Sequence, residues 1–489
     1  MAIFNSQKLS TYASSDLAPV KALRAFMGLA LALPMSVIPI NVAQADQLPA
    51  SNKLPDGFHF TVANSPYNVT STLMIDAGST VTIDPDVVIN APKDQALFWN
   101  LGTLKAAAST GHEIKLLGTG QPFMKVTNAP GDVNLTLDHV VLAAFKPLFD
   151  GSPNYSKTSL NMTHSDVLAT QINPSRMKSL AITNNFFAYG GGIELSFTRE
   201  YGSSEIATIT NNTFQGDGTV MSVHGKSSGL WLEPNASWGD QISFQGNNLV
   251  GLTRPAVAAT NGNVLNARGN YWGTTNSDEI QSFVLDKNDS FDWPTIVDVS
   301  GALANRNTVA PSQLSTAGQG LSPSKITVDT GNFKASVGLH KIIKATLQTV
   351  SGQPLAGFPL QVKFSGAGQQ EVIENRLTDA SGQVETWFGA GAVGDRTITY
   401  SSGTISTAVV ASVSNPYANV SIAGRKLTIT WGAANSRSIA VTDNGKRVIT
   451  QLITSDEESS ASVTLKPGTH KIIARLSGVV VAKTTYKIK

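Results

Sequence analysis

The 489-residue chain carries 36 Lys and Arg against 34 Asp and Glu, a net charge of +2, and only 14% of its residues are charged. That balance gives neither a basic field for nucleic acid nor an acidic tail, so whole-molecule electrostatics exclude a nucleic-acid partner as the expectation. The absence of cysteine rules out disulfides and thiolate metal centres, and 42 glycines beside 41% apolar residues favour strands and turns over exposed helices, so an all-β chain of several domains is expected.

In chain order, Lys8, Lys21 and Arg24 precede the apolar run AFMGLALALPMSVIPINV, which ends at Ala43-Gln44-Ala45. A basic region, an apolar core and a small-x-small site read as a removable signal peptide over residues 1–45. Pro34 and Pro39 break the run short of the ~20 residues a spanning helix needs. The mature protein is therefore expected to be secreted or at the cell surface, with no membrane span after signal removal.

Residues 46–304 carry a loose repeat. The stretches LAITNNFF, IATITNNTF, ISFQGNNLV and LNARGNYWG each stop a β-branched or apolar run at an amide before an apolar segment resumes. Marker residues Leu137, Met162, Ile182, Ile209, Phe244 and Ala267 lie 25, 20, 27, 35 and 23 residues apart by subtraction. Intervals of this size are the signature of a solenoid whose units bury their apolar faces only against neighbours. Asparagine tolerates left-handed backbone angles and offers both a donor and an acceptor. It can thus turn a coil and bond to its equivalent ~4.8 Å away on the next one. Asn185, Asn212, Asn247 and Asn270 are expected to form such a ladder, with Ser165 standing in on an earlier coil and Val140 breaking the pattern.

With STLMIDAGSTVTIDPDVVINA, GTLKAAASTGHEIKL, the Asn-Asn-x-Phe turns and GNYWGTT, this region resembles the right-handed parallel β-helix proteins of the pectin-lyase-like group. The resemblance implies a parallel β-helix and leaves function open, because that scaffold carries lyases, hydrolases, adhesins and phage spikes.

Residues 305–323 are rich in small polar residues, Pro and Gly, and read as a linker. The alternating segments of 324–413, with Gly-x-Pro-x-x-Gly and Thr-Asp-x-x-Gly turns, resemble bacterial immunoglobulin-like domains of the invasin and intimin type and imply a β-sandwich. A second small β-sandwich is expected over 414–489, where Asp443-Asn444-Gly445 signals a hairpin. No anchor is expected from the terminal TTYKIK.

In enzymes of the resembled group, catalytic side chains project outward from one parallel sheet. The matching strands, GIELSF and TVMSVHG, direct Glu194, Ser196, Ser222 and His224 outward if Ile193, Leu195, Met221 and Val223 point in. With Lys226, Glu194 and His224 form the catalytic candidate, a pH-active acid and base beside a cation. The acidic calcium cluster of pectate lyases and the carboxylate motifs of polygalacturonases have no counterpart, so neither activity is carried over. Trp231 and Trp238 fall in the longest interval, read as a protruding loop, and are the ligand-binding candidates, since aromatic faces cover sugar rings. Gly190-Gly191-Gly192 reads as a turn rather than a phosphate cradle. The seven histidines show no metal spacing, and neither a metal nor a cofactor is expected. The expected function is adhesion or glycan binding, with a polysaccharide or surface glycan as partner. The alternatives are a polysaccharide lyase or glycosidase on the Glu194 and His224 face, and a structural surface or matrix component.

Overall fold

The computed structural model describes residues 47–489 except 128, 151–156, 174–176, 198–206, 217–220, 226–241, 252–255, 260–263, 290–294, 339, 368–370, 416, 433–437, 453–458 and 477. The described elements are nearly all strands, with two α-helices of one turn or so, Ser277–Gln281 and Thr316–Gly320. Among the described residues no helix is long and apolar enough to cross a membrane.

Up to Asp298 the strands pair in parallel and visit three sides in rotation. Lys53–Leu54, His59–Phe60 and Tyr67–Asn68 open three sheets, and Leu73–Ile75, Thr80–Ile83 and Val88–Asn90 add to the same three in the same order. One side stacks ten strands from His59–Phe60 to Ile296–Asp298, and the next stacks eight from Tyr67–Asn68 to Asn248–Val250. The third side is a four-stranded sheet ending at Met124–Lys125 and then a five-stranded one beginning at Gln171–Ile172, with a bridge from Met124 to Phe149 between them. Each circuit thus lays three short strands on the one before.

The register follows the repeat. Leu137 pairs with Met162, Met162 with Ile182, Ile182 with Ile209 and Ile209 with Phe244. All five are fully buried, so apolar side chains at equivalent positions stack inside and each circuit continues the core of its neighbour. Phe58, Phe60, Phe98, Phe123 and Phe145 make a chain of edge-to-face contacts through the early circuits, and Phe187 stacks on Phe214 at 4.5 Å in the later ones.

Residues 325–414 form two sheets. One is Lys325–Val328, His340–Gln348 and Gln383–Gly389; the other orders Phe333–Ser336, Ile405–Ser414, Gly394–Ser402, Pro359–Gly366 and Val372–Leu377. The Thr-Asp-x-x-Gly turn has a physical reason: Thr378 Oγ1 accepts from Phe358 N–H at 3.0 Å and donates to Leu355 C=O, while Asp379 Oδ1 accepts from Ser381 and Gln383 N–H. Residues 417–488 form a three- and a four-stranded sheet around Trp431, Ile429, Val441 and Ile472. Asn444 and Gly445 both take positive φ, 48° and 83°, as a two-residue hairpin loop between paired Asp443 and Lys446 requires.

The segment 305–323, expected as a linker, lies bonded along the outside of the eight-stranded sheet. Asn307 N–H donates to Asn248 Oδ1 at 2.7 Å, and Asn248 Nδ2 donates to Asn307 C=O at 3.0 Å. Thr213 Oγ1 donates to Pro311 C=O, and Ser315 donates both N–H and Oγ–H to Asp166 Oδ2 at 3.0 and 2.5 Å. Since Asp166, Thr213 and Asn248 lie on one register row, the segment runs back down the stack like a strap. Its small polar residues are what such close contact with a sheet requires. A Cβ on Gly318 would meet Asp166 Oδ2 at 2.1 Å.

The strap delivers the first pair of antiparallel sheets onto the stack. Val141, Ala143, Leu168, Phe186 and Ala188 face away from the interior of the stack and share a core with Leu355, Phe358, Leu360 and Val362. Gly357, at φ 72°, sits against Gly120 and Ala144, where a Cβ would lie 2.8 Å from Gly120 N.

Candidate functional site

Three neighbouring register rows run along one corner of the circuits, and each has a separate task. The first is His139, His164, Asn184, Asn211, Gly246 and Gly269, all at positive φ between 46° and 66°. These are the residues that turn the chain, in the left-handed region that Asn, His and Gly enter most readily.

The second row is Val140, Ser165, Asn185, Asn212, Asn247 and Asn270. Asn185, Asn212 and Asn247 each send backbone N–H and Nδ2 to the Oδ1 of the next amide, at 2.8–2.9 Å and 3.1 Å. Their Nδ2 groups also reach the carbonyls of Met162, Ile182 and Ile209. Ser165 N–H joins through Asn185 Oδ1, and Val140 N–H ends the run on Ser165 Oγ. All four amides are wholly buried, where an unpaired polar group would be costly. A single asparagine was expected to turn the chain and carry the ladder. The double Asn divides those tasks, because a residue that supplies the left-handed kink aims its side chain away from the interior.

The third row, Val141, Asp166, Phe186, Thr213, Asn248 and Tyr271, faces outward and takes the strap. Burial pushes the Asp166 carboxyl up to about 6, against the opposing pull of the two Ser315 hydrogen bonds.

Where the strap helix Thr316–Gly320 passes the early circuits, a groove of about 730 Å³ opens, with Asp86, Asn90, Glu113, Lys115 and Gln353 among its lining. Lys115 projects outward between buried Ile114 and Leu116, and Asn90 Nδ2 donates to Asn68 Oδ1 at 2.7 Å. Asp86 Oδ2 pairs with His112 Nδ1 at 2.8 Å, a hydrogen bond that raises the His112 pKa. Glu113, nearly buried, accepts from Gly111 N–H. Polar groups from the circuits and from the antiparallel sheets converge here, the usual setting of a ligand site between folded parts. Sequence reasoning missed this groove because no short motif reports a cleft between segments more than 200 residues apart.

The sequence-derived candidates are distributed differently. Glu194 lies on Gly192–Phe197, half-buried beside buried Ile193, and its Oε2 accepts from Gln171 Nε2. The register pairs Glu194 with Ser222 and Ser196 with His224, which places Glu194 and His224 on a diagonal across neighbouring strands. His224 is described in its backbone only. Lys226, Trp231 and Trp238 lie outside the described residues.

A further cluster was invisible in linear spacing. Asp138 Oδ1 accepts from Thr163 Oγ1 at 2.8 Å and lies 3.0 Å from Nδ1 of both His139 and His164. The two rings stack at 4.9 Å. His139 and His164 are 25 residues apart by subtraction, one circuit of this chain, a separation that matches no local ligand motif.

No family model matches the sequence, and no curated protein matches it. Solved structures similar to parts of it include domains 5–6 of the S-layer protein SbsC, at 13% identity over 34% of this chain and 97% of that one, with a TM-score of 0.16. Invasin, a bacterial integrin-binding protein, is 17% identical over 34% of this chain and 38% of that one, with a TM-score of 0.17. The D0-D1 domain of intimin is 14% identical over 34% and 98%, at 0.16. Scores of this size carry no argument about fold or role.

Proposed function

We propose that the chain is an exported surface or secreted protein in which a right-handed parallel β-helix of pectin-lyase-like type carries immunoglobulin-like modules and acts in adhesion by binding glycan. The observation that carries this reading is the fixed union of its parts. The strap and the apolar contact of Val141, Leu168 and Phe186 with Phe358 and Leu360 hold the antiparallel sheets against the circuits. Such a junction suits presentation of a binding surface, and the groove beside it offers Asn90, Lys115 and Gln353 to sugar hydroxyls. In support of export, the first 45 residues have the pattern of a signal peptide.

A second reading, a lyase or glycosidase, draws support from the register that sets Glu194 and His224 on adjoining strands of one sheet. The two readings separate when the full mature chain is applied to a polysaccharide panel and both retention and product release are followed. Binding without turnover, weakened by Asn90→Ala with Lys115→Ala or by Trp231→Ala with Trp238→Ala, is the expected result. Turnover abolished by Glu194→Gln or His224→Ala would replace it with the enzyme reading. Neither retention nor turnover would leave a structural surface component.

A further inference from the structure

The geometry points to a binding site for a divalent transition-metal ion, Zn²⁺ by ligand type, formed by Asp138, His139 and His164 across two successive circuits. One ligand atom from each of the three lies within 4.8 Å of the other two. Around a tetrahedral Zn²⁺ with bonds of about 2.0–2.1 Å, ligand atoms stand about 3.3 Å apart. The two separations from Asp138 Oδ1 to the imidazole Nδ1 atoms, 3.0 Å each, need to open by only a few tenths of an ångström. Two imidazoles and one carboxylate suit Zn²⁺, Cu²⁺ or Ni²⁺ and disfavour Mg²⁺ and Ca²⁺, which require oxygen cages.

Turning the chain does not require these side chains. The same register row is filled by Asn184, Asn211, Gly246 and Gly269 on the later circuits, all at similar φ. Only where histidine replaces them does the residue before the corner, Asp138, place a carboxylate against both rings. The surroundings are those of a ligand set. Side-chain exposures of 31% for Asp138, 20% for His139 and 50% for His164 leave the site open to solvent on one side, where an ion enters and a water completes the coordination. Thr163 Oγ1 holds the carboxylate. Thr110 Oγ1, 3.3 Å from His139 Nε2, can accept a hydrogen bond from the N–H that ring must carry at Nε2 when Nδ1 binds metal. Each neutral ring shifts its proton from Nδ1 to Nε2, so binding needs no other reactant. An ion here would clip two circuits together beside the groove.

The test is calorimetric titration of the full chain, stripped of metal and returned to pH 7, with Zn²⁺. The expectation is one site whose affinity falls at least ~10-fold in His139→Asn and in His164→Asn, and is unchanged in His112→Asn. Asparagine is chosen because the fold already uses it on this row, so the metal-free variants should melt with the metal-free wild type. Zn²⁺ should raise the melting temperature of the wild type by a few degrees and leave the His139→Asn, His164→Asn double variant unmoved. In the wild type, Zn²⁺ should shift the Nδ1 resonances of His139 and His164, a readout independent of variant folding. Zn²⁺ uptake that survives the double substitution, or unmoved ring resonances at saturating Zn²⁺, overturns the assignment.

Discussion

Asn212 donates twice to Oδ1 of Asn247, from its backbone N–H at 2.9 Å and from Nδ2 at 3.1 Å, while its own Oδ1 accepts the same pair from Asn185. Replacing Asn212 with Leu orphans Asn185 N–H and the Ile182 carbonyl in a wholly buried corner, at roughly 1–3 kcal/mol for each group. Asn211→Gly, one residue earlier at φ 57°, keeps the turn and should cost much less, apart from its bond to Asn307. Melting curves of the two variants should therefore differ by several degrees. Equal curves would mean the ladder contributes nothing.

The strap makes a second prediction. Asp166→Ala removes the acceptor for both Ser315 donors and should speed protease cleavage within 305–323, which these bonds tie to the sheet in the wild type. Asp166→Asn keeps an acceptor and removes a buried charge, so it should protect nearly as well as the native residue. Equal cleavage rates in Asp166→Ala and wild type would show that the strap is held elsewhere.

The corner amides and the hairpin at Asn444-Gly445 were legible in the sequence because each is a local demand on the backbone, and composition reports such demands. The strap was not, since its contacts join Asp166 to Ser315 and Asn248 to Asn307 across long stretches of chain, and a small polar segment bonded to a sheet has the composition of one in solvent. A clue lay in VVLAAF, DVLAT and FFAYG, where apolar residues occupy both alternations. Strands covered on both faces read that way, and the cover is the first pair of antiparallel sheets. The histidine cluster stayed hidden for a related reason: its ligands neighbour each other only after one circuit closes on the next.

At the junction, Gly357→Ala meets two penalties, the left-handed φ of 72° and a Cβ 2.8 Å from Gly120 N. Gly352→Ala, at φ 83° with nothing within 4 Å of its Cβ, meets only the first, about 1–2 kcal/mol. The excess loss of stability in Gly357→Ala over Gly352→Ala measures the contact and should reach about 1–3 kcal/mol, the range for overpacking. No excess would show that the two parts yield easily at this point.

The last prediction concerns pH. His470 is largely covered, and both its ring nitrogens face acceptors: Nδ1 lies 2.6 Å from Asp443 Oδ2 and Nε2 lies 2.7 Å from the Lys466 carbonyl. Only the imidazolium donates from both nitrogens at once, so the hydrogen bond to Asp443, joined by that to Lys466 and opposed by burial, raises the His470 pKa above its ordinary value of 6.5. A raised pKa means the folded state binds the proton more tightly than the unfolded one. The resulting stability is fully present below about pH 6.5 and is lost as pH rises through the higher folded-state value. Residues 417–488 should therefore lose amide-exchange protection between neutral and mildly alkaline pH, and His470→Gln, which cannot carry the charge, should flatten that dependence. A wild-type profile that stays flat through this window, or one that His470→Gln leaves unchanged, would assign the pH response to other groups.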